Sequence, residues 1–264
     1  INPNDVQEQL GLNSYGVIPL SQVQLKQQTD TSSSHGVLAV ENPTDMALEA
    51  IRGIRTSLHF AMMEASNNIV MLTGPSPGVG KSFVSTNLAA LAGASEQRIL
   101  LVDADMRRGH IHKAFQKPRS PGLSDILSEG LGFDAVKHES ILPNVDLITT
   151  GRIPPNPSEL VMSSAFTQFL EAVSSEYDII LMDTPPVLAV TDAAIVGKQA
   201  GTTMVVVRHK INTLKEIKQT VSELEQLDVT VKGYIYNFFE QQDVSYGYGN
   251  RYYNYRYDSH EGED

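Results

Sequence analysis

Gly74-Pro75-Ser76-Pro77-Gly78-Val79-Gly80-Lys81-Ser82 stands between an apolar run, Ile69-Val70-Met71-Leu72-Thr73, and a helix-like pattern from Phe83 to Ala92. A strand, a glycine-rich turn and a helix, with Gly-Lys-Ser closing the turn, is the context of a phosphate-binding loop. Glycines let successive backbone N–H groups curl around an anion, and the helix N-terminus adds about half a positive charge. Lys81 is expected to reach the β- and γ-phosphates of a nucleotide, and the Ser82 hydroxyl to hold Mg²⁺. The usual spacing, G-x-x-x-x-G-K-[ST], places the first glycine at position 75; here Pro75 occupies it and the glycine is Gly74. By itself the stretch also allows a glycine-rich turn that merely contains Gly-Lys-Ser.

A chain of 264 residues with 41% hydrophobic and 19% charged residues suits one large soluble α/β domain with a sizeable core. Its net charge of −11 argues against nucleic acid as a partner, since no excess of cations is available to displace counterions. The absence of cysteine excludes a thiolate metal site, a disulfide framework and a cysteine nucleophile. The longest apolar runs, around Ile99–Val102, Ile179–Met182 and Met204–Val207, are strand-sized, well short of a membrane span. The start at Ile1, with no Met and no signal-like segment, reads as a fragment of something longer, any membrane anchor lying outside it.

Residues 1–40 read as an N-terminal linker with one short strand at Tyr15–Pro19, and residues 26–36 as a polar, low-complexity loop. Thr44 to Ala65 reads as a helix, with Met46, Leu48, Ile51, Ile54, Leu58 and Met62 at helical spacing. Glu49, Arg52 and Arg55 lie along one side of it, which by itself fits a solvated face with a weak ion pair. Arg98–Val102 is apolar throughout, as a strand buried on both faces of a parallel sheet should be. It ends in Asp103-Ala104-Asp105, two carboxylates where ligands bind in open α/β sheets, or alternatively an Asx turn using one of them. Tyr177–Met182 repeats the pattern and ends in Asp183-Thr184-Pro185-Pro186, which matches the second acidic motif of phosphate-loop NTPases or a turn-initiating Asp before Pro.

Between them, Gly122–Glu129 and Phe133–Val136 read as short helices, Val145–Thr149 as a strand, and Gly151–Leu160 as a rigid turn into one helix through about Ser175. Helices follow at Thr191–Ala200 and Leu214–Leu227, the latter opened by the capping box Thr213/Glu216, and strands at Thr203–Val207 and Val229–Tyr236. The alternation predicts a doubly wound, mostly parallel α/β sheet of the three-layer, Rossmann-like P-loop NTPase class, spanning residues 41–240. Residues 241–264 form a tail that should be flexible: six of the ten tyrosines fall in twelve positions, at Tyr246, Tyr248, Tyr252, Tyr253, Tyr255 and Tyr257, with no aliphatic residue among them. An adhesive aromatic tail and a base-stacking segment are alternative readings, the latter weakened by having only two Arg.

The phosphate loop, Asp-x-Asp after one strand and Asp-x-Pro after another, together with the tyrosine tail, resemble the bacterial tyrosine kinase family over nearly all of residues 38–264. In that family the catalytic domain is the cytoplasmic part of a Wzc-like polysaccharide co-polymerase. Thr-Gly-x-Ser-Pro-x-x-Gly-Lys-[Ser/Thr] is the family's own form of the loop, matched from Thr73 to Ser82, so the early Gly74 has a place. The resemblance implies a nucleotide site of Gly74, Ser76, Pro77, Gly78, Val79, Gly80, Lys81, Ser82 and Phe83, with Asn237 at the family's adenine-contacting position. Asp103 and Asp105 match the additional acidic motif and Asp183 the second one; Gly151–Leu160 and Asp183–Ala194 also look like family segments. One position departs: some members carry a regulatory Tyr just after the Asp-x-Asp motif, where this chain has His110.

The implied activity is transfer of the ATP γ-phosphoryl group to the six tail tyrosines, with ADP as product. A tyrosine hydroxyl, with a pKa near 10, calls for a base at neutral pH. Asp103 is the expected base, sharing in the Mg²⁺ shell; Asp105 and Asp183 fix the metal beside Ser82, and Lys81 neutralises developing charge. The nine positions from Asn237 to Tyr246 reach up to roughly 30 Å, enough to enter a neighbouring subunit. The resemblance further implies a homo-oligomeric ring built on Glu49, Arg52 and Arg55 (an octamer is one candidate size) that phosphorylation disperses, a membrane-spanning co-polymerase part of the same protein, a cognate tyrosine phosphatase, and a place at the cytoplasmic face of the bacterial inner membrane. Two other functions use the same motifs. A partitioning or division-site ATPase usually carries a second Lys early in the loop, where this chain has Ser76. A nucleotide-gated assembly adaptor would turn nothing over.

Overall fold

The computed structural model describes residues 1–29 and 36–240. The first half of the chain forms α1 (Pro3–Leu10), β1 (Ser14–Pro19), α2 (Gln22–Thr29), α3 (Leu38–Glu41), α4 (Met46–Met63), β2 (Ile69–Thr73), α5 (Lys81–Gly93), β3 (Ile99–Asp103), α6 (Ile111–Ala114), α7 (Leu123–Glu129) and α8 (Phe133–Val136). The second half forms β4 (His138–Leu142), β5 (Val145–Ile148), α9 (Pro157–Met162), α10 (Ser164–Ser174), β6 (Ile179–Asp183), α11 (Asp192–Gly197), β7 (Thr202–Arg208), α12 (Leu214–Glu225) and β8 (Val231–Phe239).

The eight strands make one sheet in the order β1-β8-β7-β2-β6-β3-β5-β4. All neighbours are parallel except β4 and β5, which the two-residue link Pro143-Asn144 joins as an antiparallel hairpin. Parallel neighbours require crossovers, and the helices supply them on both faces. Side chains alternate along each strand. Val70, Leu72, Leu101 and Leu181 therefore pack under α4 and α5, while Met71, Leu100, Val102, Ile180 and Met182 pack under α10, α11 and α12. On α4, Ala47, Leu48, Ile51, Ile54, Leu58 and Ala61 form the buried stripe, and each of its larger side chains contributes about 1.5–3 kcal/mol by leaving water. Asp45 starts that helix by accepting from the Ala47 N–H at 2.9 Å.

The first 29 residues depart from the linker expected over 1–40. The strand foreseen at Tyr15–Pro19 forms as β1, but it is stitched in parallel to β8, and capped helices flank it. The Tyr234 hydroxyl donates to the Pro3 carbonyl at 2.6 Å and the Tyr236 hydroxyl to the Ile1 carbonyl at 2.5 Å. Composition hid this: α1 buries only Val6, and β1 is mostly half-buried and contains Gly16 and Pro19. The single helix expected from about 158 to 175 is two, because Ser163 is extended (φ −70°, ψ 154°) between α9 and α10. The tail 241–264, with its six tyrosines, lies outside the described residues.

Candidate active site

The carboxyl ends of β2, β3, β6, β7 and β8 open on one edge of the sheet, where parallel α/β proteins bind ligands. The phosphate loop runs from β2 into α5. Gly78 (φ +75°) and Gly80 (φ +92°) adopt left-handed backbone, which a side chain resists by about 1–2 kcal/mol. Gly74 is glycine for a different reason: a Cβ there would lie 2.6 Å from the Val206 carbonyl oxygen. Close packing of the loop against β7 thus explains a glycine one place early. The loop carbonyls are tied from outside. Gly74 and Pro75 accept from the Val187 and Leu188 N–H groups, at 2.9 and 3.3 Å. Gly78 accepts from Arg208 Nη1 at 2.8 Å and Val79 from Asn237 Nδ2 at 3.0 Å. The Ser76 hydroxyl accepts from Asn212 Nδ2 at 3.0 Å.

No side chain caps the start of α5, so its first-turn N–H groups are left for an anion, and Lys81 stands there, buried. That fits a nucleotide phosphate. Gly80→Ala is expected to lower Tm by about 2–8 °C, because a Cβ would also meet Asn237 Nδ2 at 2.2 Å. Melting curves with and without Mg-ATP check this, and the ATP-induced stabilisation should shrink as well.

Asp103 and Asp183 end neighbouring strands and stand opposite each other in the β3–β6 register, both fully buried. Asp183 accepts from the Ser82 hydroxyl at 2.6 Å and from the Ser85 hydroxyl at 3.2 Å. Asp103 accepts from the Ile111 N–H at 3.0 Å and the Asp105 N–H at 3.3 Å. Burial, and then the Asp183 charge, hold the Asp103 carboxyl well above the usual carboxylate range. Burial also raises Asp183, with the Lys81 ammonium and the Ser82 hydrogen bond working against it. Asp105 is half-buried at the mouth and accepts from the Arg107 and Arg108 N–H groups at 3.2 and 2.9 Å. The Asx turns considered above thus exist, and they hold both carboxylates in the site. Among the described residues no group of three or more His, Asp or Glu could hold a metal ion. A divalent cation here would rest on Ser82 and one or two carboxylates, completed by phosphate oxygens and water.

Sequence reasoning missed the braces around these groups. Arg107 grips the buried Asp192 in a fork, Nε to Oδ2 at 2.9 Å and Nη2 to Oδ1 at 3.1 Å, and Ser158 donates to the same carboxylate at 2.6 Å. This joins the loop after β3 to α9 and α11. Arg119 donates to the Gly109 and Gly151 carbonyls, at 2.9 and 3.0 Å. A basic residue two places after Asp105 was the available signal for the first brace.

Asn237 is fully buried at the end of β8, with its amide on the Val79 carbonyl and its oxygen on the Phe238 N–H at 2.9 Å. The structure therefore places it as a strut of the loop. Glu49 and Arg52 pair with each other on the surface of α4, whereas Arg55 is turned to the end of α5, on the Leu91 carbonyl at 3.0 Å and the Ser95 hydroxyl.

The AAA domain family matches residues 67–235. The chain is 45% identical over 258 residues to the putative tyrosine-protein kinase EpsB of Ralstonia nicotianae, covering 97% of this chain and 34% of that protein. It is 47% identical over 261 residues to the tyrosine-protein kinase wzc of Salmonella typhimurium, covering 96% and 36%. Among solved structures, the kinase domain of Escherichia coli tyrosine kinase ETK superposes with a TM-score of 0.85 at 42% identity, over 94% of this chain and 99% of that one. The chain thus spans about a third of the length of the curated relatives it matches.

Proposed function

Because the chain belongs to the bacterial tyrosine-kinase family, we propose that it transfers the γ-phosphoryl group of ATP to tyrosines 246–257 of a neighbouring copy. The observation that carries this reading is the register of β3 and β6, which sets Asp103 and Asp183 side by side next to Lys81 and Ser82. Asp103, with its carboxyl raised by burial and by Asp183, is a stronger base than an exposed carboxylate. It takes the phenolic proton as the tyrosine oxygen bonds to the γ-phosphorus and the bond from phosphorus to the β-phosphate oxygen breaks. Lys81 and the first-turn N–H groups of α5 offset the charge that develops on the transferred group. Mg²⁺, which Ser82 and Asp183 would hold with a share from Asp103, would supply further charge neutralisation on the phosphates. The Arg107–Asp192–Ser158 brace keeps the Asp103–Asp105 turn in place without touching substrate.

The relatives are full-length proteins about three times as long, so the wider role is part of the proposal. The domain belongs to a membrane-anchored co-polymerase of polysaccharide export and works at the cytoplasmic face of the bacterial inner membrane. Among the described residues no helix is long and apolar enough to cross a membrane. Glu49, exposed on α4, and the half-buried Arg52 beside it are the surface through which copies assemble into a ring, with Arg55 fixing α4 against α5. Each phosphotyrosine adds about −1.5 to −2 charges, and on a chain already at −11 this loosens the ring until a phosphatase resets it.

Incubation with Mg-ATP followed by mass spectrometry of residues 246–257 tests the reading. Phosphotyrosine there is the expected result. Free phosphate with unmodified tyrosines would identify an ATPase switch, and no turnover a nucleotide-gated adaptor.

A further inference from the structure

One buried polar side chain beside the phosphate loop has no use in the chemistry described so far. Gln24, on α2, is 1% exposed, and among the described residues neither its amide nitrogen nor its oxygen has a hydrogen-bond partner. A buried amide left in that state is destabilising, so its persistence points to a partner that arrives later. Its position is fixed. Ser21 Oγ donates to Asp45 at 2.8 Å and accepts from the Val23 N–H at 3.2 Å, and the Leu20 N–H donates to the Phe239 carbonyl at 2.9 Å, so α2 is held over the end of β8.

Gln24 and Asn237 converge on one point of the loop. A Cβ on Gly80 would lie 2.2 Å from Asn237 Nδ2, 3.0 Å from Gln24 Nε2 and 3.2 Å from the Phe238 ring. Asn237 has committed its amide to the Val79 carbonyl and the Phe238 N–H. Gln24 has not. A carboxamide presents a donor and an acceptor side by side, the complement of the N6 amino group and N7 of adenine. Guanine presents two acceptors on the same edge and cannot satisfy both atoms there. The buried Phe238 ring, with the Arg208 guanidinium 4.0 Å from its centroid, adjoins the same point.

The geometry points to Gln24 as the residue that reads the base of the bound nucleotide and makes the site selective for adenine. This rests on the nucleotide-binding reading of the loop, and the experiment separates the two. Equilibrium binding of fluorescent ATP and GTP analogues and of inorganic tripolyphosphate is measured on the whole chain and on Gln24→Met, alongside Tm without nucleotide. The unsubstituted chain should prefer ATP to GTP. Gln24→Met should weaken ATP about tenfold, leave GTP and tripolyphosphate unchanged, and hold or raise the nucleotide-free Tm, since it removes an unpaired buried amide. An unchanged ATP-to-GTP ratio overturns the assignment, as does equal weakening of all three ligands, which would make Gln24 a prop of the loop. If the chain binds none of the three, the loop reading falls and the assignment with it. Should Gln24→Met not fold, Gln24→Glu, which lacks the donor, must show the same selective loss.

Discussion

Lys81→Met should lower tyrosine phosphorylation by about 10²–10³-fold while leaving the domain folded. The ammonium is buried at the first position of α5, where the unfilled N–H groups of the helix face the same anion. Methionine has nearly the same length and helix propensity, so α5 should persist. What disappears is the one side-chain cation of the loop, and with it the neutralisation of charge that builds on the transferred phosphoryl group. A second consequence follows from the first. Lys81 is the largest influence opposing the burial-driven rise of Asp183, so its removal should move that carboxyl further up. Single-turnover phosphotyrosine formation with saturating Mg-ATP reads the loss, and circular dichroism shows that the fold remains. Full activity in this variant would remove Lys81 from the transition state.

Asp183→Asn should be comparably inactive, about 10²–10³-fold down, and yet more stable than the parent at neutral pH without metal or nucleotide. Both oxygens of Asp183 accept from serine hydroxyls, and a hydroxyl can turn to accept from an amide, so asparagine fits. The folded-state pKa of Asp183 is raised by burial. A raised carboxyl favours the folded state fully below its unfolded value near 4, and that contribution is lost as pH climbs through the folded value. The substitution also takes a negative charge away from Asp103, whose own carboxyl is held up in part by Asp183. The Tm advantage of Asp183→Asn in chelator should therefore widen as pH climbs from about 4 through the folded value of Asp183 and level off above it. A flat difference would mean that the pair is not strained by its charge.

The parts of this site that could be read from sequence are those where a local pattern and the chemistry coincide. Ile99–Val102 and Ile179–Met182 are strands buried on both faces, so they appear as short apolar runs, and each is followed at once by its carboxylate, Asp103 or Asp183. The loop between β2 and α5 announces itself in the same way. Contacts between distant segments leave no such trace. Arg107 and Asp192 are 85 positions apart, and Asn237 is visible as the end of a strand but not as a strut of Val79. β1 reads as a strand, yet its partner β8 lies at the other end of the chain, so the first 29 residues read as a linker. Gln24 sits in a polar stretch, and only its burial sets it apart from the exposed Gln22.

β1 lies parallel to β8, and Tyr234 and Tyr236 of β8 hold the carbonyls of Pro3 and Ile1. A force that draws the start of β1 away from the Asn237 end of β8 runs along both strands. The bonds of this parallel pair, interrupted by two register shifts, then carry the load side by side, in shear, and do not open in turn like a zipper. This edge of the sheet is a mechanical anchor, and tension applied to it reaches the residue that holds the phosphate loop.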